Sequence, residues 1–307
     1  MSILDWVSGL LGTGSSGTGD SRRNEGNDLR ELARRLGVSV EELTSIRPAY
    51  REIRVKKRSG GTRLLLEPSP ELKKIQRCIL HKLLKRLSSH ESVHGFESGR
   101  SIVTNAQQHA NKDLVICVDL KDFFQKTQVR RIREYFTFIG WNTDAADMLM
   151  HLTAWNGGLP QGAPTSPRLA NLVNHALDAR LEGLAKHHGG TYTRYADDLT
   201  FSFPTRKELP KKETGTFLEM VSRIVKENGY SMHGKEKLRV MTYARCQSVT
   251  GLVVNQKVDL PRRTRKWLRA VEHHRVTGKP ATLSDEQLNG WRSLRQMIID
   301  QRRERSR

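Results

Sequence analysis

Residues 191–203 read TYTRYADDLTFSF. β-Branched and aromatic residues alternate on both sides of Asp197 and Asp198, which reads as strand, turn, strand with the acidic pair at or beside the hairpin tip. Neighbouring side chains of a strand point to opposite faces, so only a turn lets both carboxylates reach one place. At about 4 Å and an effective dielectric near ~20, the two charges repel by roughly 4 kcal/mol unless something positive lies between them. Taken alone, such a pair is most simply a solvated Asx-type turn. The rest of the chain has to supply a reason for anything else.

One reason lies upstream, in DLVICVDLKDFF, residues 113–124. The apolar run Leu114 to Val118 reads as a buried strand, and it ends in Asp119, a carboxylate at a sheet edge that a ligand can reach. If the sheet gathers Asp119, Asp197 and Asp198, divalent cations resolve the repulsion, and hard oxygen ligands favour magnesium, with manganese as an alternative. Two such ions about 3.5–4 Å apart suit in-line phosphoryl displacement, one activating a sugar hydroxyl and the other balancing charge on a leaving pyrophosphate.

Composition points the same way. The 307 residues hold 53 Lys and Arg against 33 Asp and Glu, a net charge of +20, and the pI is near 10.2 with a mean hydropathy of −0.61. Such an excess attracts polyanions, nucleic acid above all. A chain of this length can build one large or two modest cores. No apolar run approaches the roughly 18 residues of a membrane span. The N-terminus carries Asp5 and no basic lead, a poor secretory signal, so a cytoplasmic protein without a membrane partner is expected. Cys78, Cys117 and Cys246 match no zinc spacing and read as reduced, packed thiols.

Residues 1–28 end in the Gly/Ser-rich LGTGSSGTGDSRRNEGND, expected to be a mobile tail or linker. NDLRELARRLGVSVEELTSI predicts two short helices around a Gly-Val-Ser break, scaffold rather than a helix-turn-helix without its recognition helix. YREIRVKKRSGGTRLLLEPSP predicts a hairpin whose tip carries Lys56, Lys57, Arg58 and Arg63, basic enough to grip phosphates and equally able to sit in water. ELKKIQRCILHKLLKRL predicts a helix with Leu72, Ile75, Ile79, Leu83 and Leu87 along its buried stripe. After NGGLPQGAPTSP, a loop loosened by Gly157, Gly158 and Gly162, one helix is expected from about Ser166. A further helix is expected to face Phe217, Met220, Val221, Ile224 and Val225 inward, followed by strands in KLRVMTYAR and SVTGLVVN. From Cys246 onward the chain has 14 basic and 6 acidic residues, with two helices expected and a capping box at Ser284 and Gln287.

YADD between strands, a preceding strand ending in Asp119, and LPQGAPTSP together resemble the palm of a reverse transcriptase, in order and from about Tyr50 to Asp300. HGFESGRSIVTNAQQH and VTGLVVN are similar to the two signatures of bacterial retron reverse transcriptases, carried here by Asn105, Ala106 and His109 and by Val249, Thr250 and Gly251. The resemblance implies an α+β, right-hand polymerase fold: fingers, a ferredoxin-like palm with an antiparallel sheet, and a helical thumb. It assigns 29–112 to N-terminal helices and fingers, 113–140 and 160–245 to the palm, 141–159 to a helical connection, and 246–307 to a basic thumb.

The resemblance also implies roles. Asp119, Asp197 and Asp198 become the catalytic ligands of two Mg²⁺ ions, with the carbonyl of Leu120 adding an oxygen. Phe124 stands under the sugar, where its ring excludes a 2′-hydroxyl; of Phe123 and Phe124, one is expected in the core. Gln161 and Gly162 lie along the incoming nucleotide, where a small residue permits close approach. Arg58 and Arg63 pair with the triphosphate, Arg63 preferred. Lys237, or Lys235, neutralises pyrophosphate. Asn105, His109, Val249, Thr250 and Gly251 contact template RNA, although spacing alone also fits His109 as a core imidazole. Arg262, Arg263, Arg265 and Lys266 track phosphates from the thumb.

In full, the implied activity is an RNA-directed DNA polymerase that uses a structured non-coding RNA of msr–msd type as template and as primer, from a guanosine 2′-hydroxyl. Its product is branched RNA–DNA, made from dNTPs and carried as an RNA–DNA hybrid. A partner effector in anti-phage defence is implied, and with no RNase H domain expected after the thumb, a cellular RNase H. FFQKTQ departs from the family by lacking a proline. A group II intron protein and a non-catalytic RNA-binding scaffold are the alternatives. The intron protein would want an extension after the thumb, and the scaffold would want a lost carboxylate or a bulky residue at position 162.

Overall fold

The computed structural model describes residues 26–56, 60–234, 236–277, 280 and 282–305. Its centre is a four-stranded sheet of β3 (Leu114–Asp119), β4 (Thr191–Tyr195), β5 (Asp198–Phe203) and β6 (Arg239–Thr242), in the order β4-β5-β3-β6. Every neighbouring pair is antiparallel. Helices intervene between β3 and β4 and between β5 and β6, so the order is that of an interleaved βαββαβ unit.

The unbroken apolar run of β3 has a physical reason. Leu114, Ile116 and Val118 face the large core, which also holds Leu199, Phe201, Phe217 and Val221. Val115 and Cys117 point the other way, into a second core with Val103, Val249, Leu252, Leu268 and Ile298. A strand covered on both faces loses the polar half of its alternation.

Upstream, Leu29–Leu36 (α1) is capped by Asp28, which accepts from Glu31 N, and closed by Gly37 at φ 78°. Val40–Ser45 (α2) starts with a Ser39–Glu42 capping box. Leu32, Leu36 and Leu43 are fully buried, as scaffold helices require. Of the expected tail, residues 1–25 lie outside the described residues, while 27–28 belong to the fold: Asn27 N donates to Gly140 O at 2.9 Å and Asn142 N to Asn27 O at 3.0 Å. β1 (Tyr50–Lys56) and β2 (Thr62–Pro68) form the expected hairpin, paired from Tyr50–Pro68 to Lys56–Thr62.

The amphipathic helix differs from its predicted stripe. Pro70–Cys78 (α3) is α-helical, but Ile79–Leu84 winds as a π-helix, with Lys85 N donating to Leu80 O at 2.9 Å. One extra residue in the turn moves the buried position from Leu83 to Leu84. After Ile102–Gln108 (α4) and β3 come Phe123–Lys126 (α5), Val129–Phe138 (α6) and Thr143–Thr153 (α7).

The helix expected from Ser166 is two, Ser166–Val173 (α8) and His175–His187 (α9). Arg131 takes the Val173 carbonyl at 3.1 Å and Asn174 Oδ1 at 3.0 Å, and Asn174 Nδ2 donates to Tyr230 OH at 2.9 Å. The bond to the Val173 carbonyl competes with the helix's own ladder at that point. Thr214–Glu227 (α10) buries Phe217, Val221 and Val225, while Met220 and Ile224 are only half-buried.

SVTGLVVN is not one strand but a tight hairpin of β7 (Ser248–Val249) and β8 (Leu252–Val253). Thr250 at φ 47° and Gly251 at φ 81° make the positive-φ pair of a two-residue turn. Arg262–Val276 (α11) and Asp285–Arg305 (α12) follow, α12 opened by the expected Ser284–Gln287 box. All three cysteines are free, but Cys246 is exposed in the turn after β6, not packed. No helix among the described residues is long and apolar enough to cross a membrane.

Candidate active site

The hairpin β4–β5 turns through Ala196, whose φ of 56° is left-handed, and Asp197. In register, Asp119 stands opposite Asp198, and Leu120 N donates to Asp197 O at 2.9 Å. His233 N donates to Asp119 O at 2.9 Å, closing the other flank. Asp119, distant in sequence, is thus held with Asp197 and Asp198 at one end of adjacent strands.

The scaffold beneath them is ionic. Arg194, fully buried, donates Nε to Asp178 Oδ1 at 2.8 Å and Nη2 to Oδ2 at 2.7 Å, and Nη1 reaches Ala196 O at 3.3 Å. Residues 92–94 lie alongside β4, with Arg194 N to Ser92 O and His94 N to Arg194 O both 2.8 Å. Gly95 presses on the tip so closely that a Cβ there would stand 2.6 Å from Ala196 N.

Charge is poorly balanced at the tip. Burial, then Asp197 and Asp119, push the Asp198 carboxyl up to about 6, against Arg239 and Lys237. Burial raises Asp197 as well; its own backbone hydrogen bond opposes this, Asp119 adds to it, and Lys237 and Arg63 pull it down. Lys237 Nζ lies 3.0 Å and His233 Nε2 3.2 Å from Asp119 Oδ1. The hard oxygen donors gathered here are of the kind that suits a divalent cation. Among the described residues no three His, Cys, Asp or Glu groups already converge as a metal site; Asp119 Oδ1 faces Lys237 and His233 instead.

Of the residues expected to meet a nucleotide, Arg63 is exposed on β2 and its field reaches Asp197. Leu66 N donates to Gln161 O at 2.8 Å, and a Cβ on Gly162, at φ 121°, would stand 3.0 Å from Leu66 O. The close approach that Gly162 permits is therefore to β2, not shown to a nucleotide. Phe123 is buried and Phe124 half-buried, on a helical turn rather than by strand alternation. Arg58 and Lys235 lie outside the described residues.

The expected RNA contacts divide. Asn105 and His109 are fully buried, and His109 bridges Ser202 Oγ and Thr193 Oγ1 at 2.7 Å each. Val249 is 1% exposed. None of these three can touch RNA directly from the core; that expectation is corrected to support of the surface above them. Thr250 Oγ1 donates to Ile102 O at 2.9 Å, tying the β7–β8 turn to α4, and Gly251 is exposed. Arg262, Arg263, Arg265 and Lys266 are all exposed on α11, with Arg265 paired to Asp259 at 3.0 Å.

Sequence reading missed three contributors: His233, Arg239 and the Arg194–Asp178 pair. Arg194 was legible as a charged residue inside an apolar strand, a position that demands a buried partner. His233 and Arg239 reach the acids through pairing that local pattern does not report.

Residues 55–270 match the family model described as reverse transcriptase, RNA-dependent DNA polymerase. The retron Ec86 reverse transcriptase of Escherichia coli is 34% identical over 275 residues, which cover 87% of this chain and 83% of that protein. The chain belongs to the retron reverse transcriptases. Two members from Myxococcus xanthus are similar at comparable levels: retron Mx65 at 36% identity, covering 90% of this chain and 69% of that protein, and retron Mx162 at 37%, covering 84% and 61%. The chain thus spans about 61% of the length of Mx162. Among solved structures, a telomerase from Candida albicans complexed with a fragment of telomeric RNA superposes with a TM-score of 0.50 at 10% identity, over 72% of this chain and 46% of that one. That likeness concerns the fold, a right-hand polymerase of α+β class. The interleaved antiparallel sheet is its ferredoxin-like centre.

Proposed function

We propose that this retron reverse transcriptase copies RNA into DNA by nucleotidyl transfer at Asp119, Asp197 and Asp198. The observation that carries the reading is the register of β3 against β5, which seats Asp119 opposite Asp198 beside the Asp197 backbone. The three carboxylates, with the Leu120 carbonyl, would hold two Mg²⁺ ions, or Mn²⁺ in their place. When bound, such ions activate a sugar hydroxyl and offset charge on the leaving pyrophosphate.

The chain's own residues divide the remaining work. Arg63 pairs with the triphosphate, with Arg58 beside it in sequence. Lys237 Nζ, displaced from Asp119, carries positive charge and a proton to the pyrophosphate oxygen. Phe124 stands where a 2′-hydroxyl would collide with it, so deoxynucleotides are selected. Gln161 and Gly162 fix β2, and with it Arg63, over the site. Residues 29–112 act as N-terminal helices and fingers, 113–140 and 160–245 as palm, 141–159 as the connection and 246–307 as thumb.

The finer biology is what the sequence resemblance implies. The template and primer are a structured msr–msd-type RNA, priming from a guanosine 2′-hydroxyl and giving branched msDNA. The surface at Thr250 and Gly251 and the arginines of α11 hold that RNA. A cytoplasmic setting, an effector partner, a cellular RNase H and a role against phage complete the proposal.

The test is primer extension by the purified protein on a primed RNA template with dNTPs and Mg²⁺. Extension is expected, and Asp197→Asn is expected to remove it while RNA binding persists. Extension by Asp197→Asn at the parental rate would place the chemistry elsewhere.

A further inference from the structure

Phe96 is 50% exposed, and its φ of 62° is left-handed. For a bulky residue that backbone is an outlier, and burial does not repay it. Phe138, also exposed at 44%, lies in the ordinary helix α6 and shows no such strain. Strain of this kind survives where the surroundings over-determine the backbone. Here they do: Asn171 Nδ2 donates to Gly95 O at 2.8 Å and to Glu97 Oε1 at 2.7 Å, and Arg168 Nη1 holds both Glu97 oxygens at 2.6 and 2.5 Å. Gly95 is wedged against the Ala196 backbone, one residue from Asp197.

The construction presents an aromatic face at the acidic tip. The Phe96 ring lies 6.2 Å from that of Phe124, tilted by 52°, so the two form adjoining walls. We propose that Phe96 is a stacking platform for a nucleobase held against the acidic hairpin, with Phe124 as the neighbouring wall. The inference rests on the polymerase reading of the site. A nucleobase is the ligand that offers such a ring a flat apolar face to stack on, and it comes attached to a phosphate-bearing chain. Its source is either the incoming deoxynucleotide or the template base opposite.

Three full-length variants separate these cases: Phe96→Ala, Phe96→Gly and Phe96→Tyr. Single-nucleotide extension on a primed RNA template gives kcat and KM for the dNTP, and fluorescence anisotropy gives Kd for the same template with a one-nucleotide overhang. Glycine accepts the left-handed backbone, so Phe96→Gly should melt at or above the parental temperature while losing the ring. Loss of stacking should cost Phe96→Ala and Phe96→Gly about tenfold in one of the two constants, and Phe96→Tyr should restore it. A raised KM with unchanged kcat and template Kd assigns the incoming base. A weakened template Kd, equalised among variants by an abasic overhang, assigns the template base. Parental KM and Kd in both Phe96→Ala and Phe96→Gly would overturn the proposal. Should the parent extend no primer, the polymerase reading fails by itself, while the Kd values of Phe96→Gly for the overhang template and for a labelled dNTP, both read by anisotropy, still decide whether a base stacks there.

Discussion

Asp119 and Asp198 stand directly opposite each other on adjacent antiparallel strands. Like charges so placed destabilise a sheet, and burial with Asp197 beside them holds the Asp198 carboxyl near 6. The fold retains at this tip a charge arrangement that works against its own stability.

Neutralising one acid should therefore stabilise the protein while removing function. Asp198→Asn is expected to gain up to about 1 kcal/mol in urea unfolding at pH 7, with primer extension abolished. A less stable Asp198→Asn protein would mean that its carboxylate holds the hairpin together.

Arg194 and Asp178 make the opposite case, a fully buried pair with bidentate geometry. Arg194→Met leaves the Asp178 carboxylate buried without its partner, and the expected loss is about 3–5 kcal/mol. Denaturant unfolding measures it; a loss below about 1 kcal/mol would show that the pair is not what supports the tip.

His109 links stability to acid. Burial first, then the charges of His94 and Lys112, hold its imidazole at about 3. The unfolded chain, titrating near ~6.5, binds a proton that the folded chain refuses, so stability falls as pH drops from about 6.5 towards 3. The slope from this one group is about 1.4 kcal/mol per pH unit. His94, held at about 4 mainly by burial, adds to it in the upper part of that window. His109→Asn should flatten the parental slope by about one such unit between pH 6 and 4. Equal slopes in the two proteins would contradict the neutral, buried assignment.

Much of this was legible beforehand. The strand ending at Asp119, the hairpin at Asp197–Asp198 and the pairing of β1 with β2 announce themselves through period and turn chemistry, and all three form as read. What escaped depends on distant partners. The π-helical turn at Ile79–Leu84 reverses which of Leu83 and Leu84 is buried, and nothing in ILHKLL marks it. The break at Asn174 needs Arg131 and Tyr230 from elsewhere in the chain. His109 carries the same letters as an RNA contact or a core imidazole, and only Ser202 and Thr193 decide between them. The left-handed backbone of Phe96 is likewise unmarked in the letters around it.

Gly162 lies tight against β2, the strand that carries Arg63. Gly162→Ala places a Cβ 3.0 Å from Leu66 O on a backbone at φ 121°, which should shift β2 and draw Arg63 away from Asp197. The expected result is a KM for dNTP raised roughly tenfold or more, beyond any fall in kcat. Parental KM with lowered thermal stability alone would reduce Gly162 to a folding role.

The most direct measurement is single-turnover extension of a primed RNA template by Asp119→Asn, alongside its affinity for that template. If the three acids act as one site, extension falls by about a thousandfold or more while template Kd stays parental. Near-parental extension by Asp119→Asn would contradict it, because residue 119 would then stand outside the chemistry that its place opposite Asp198 assigns to it.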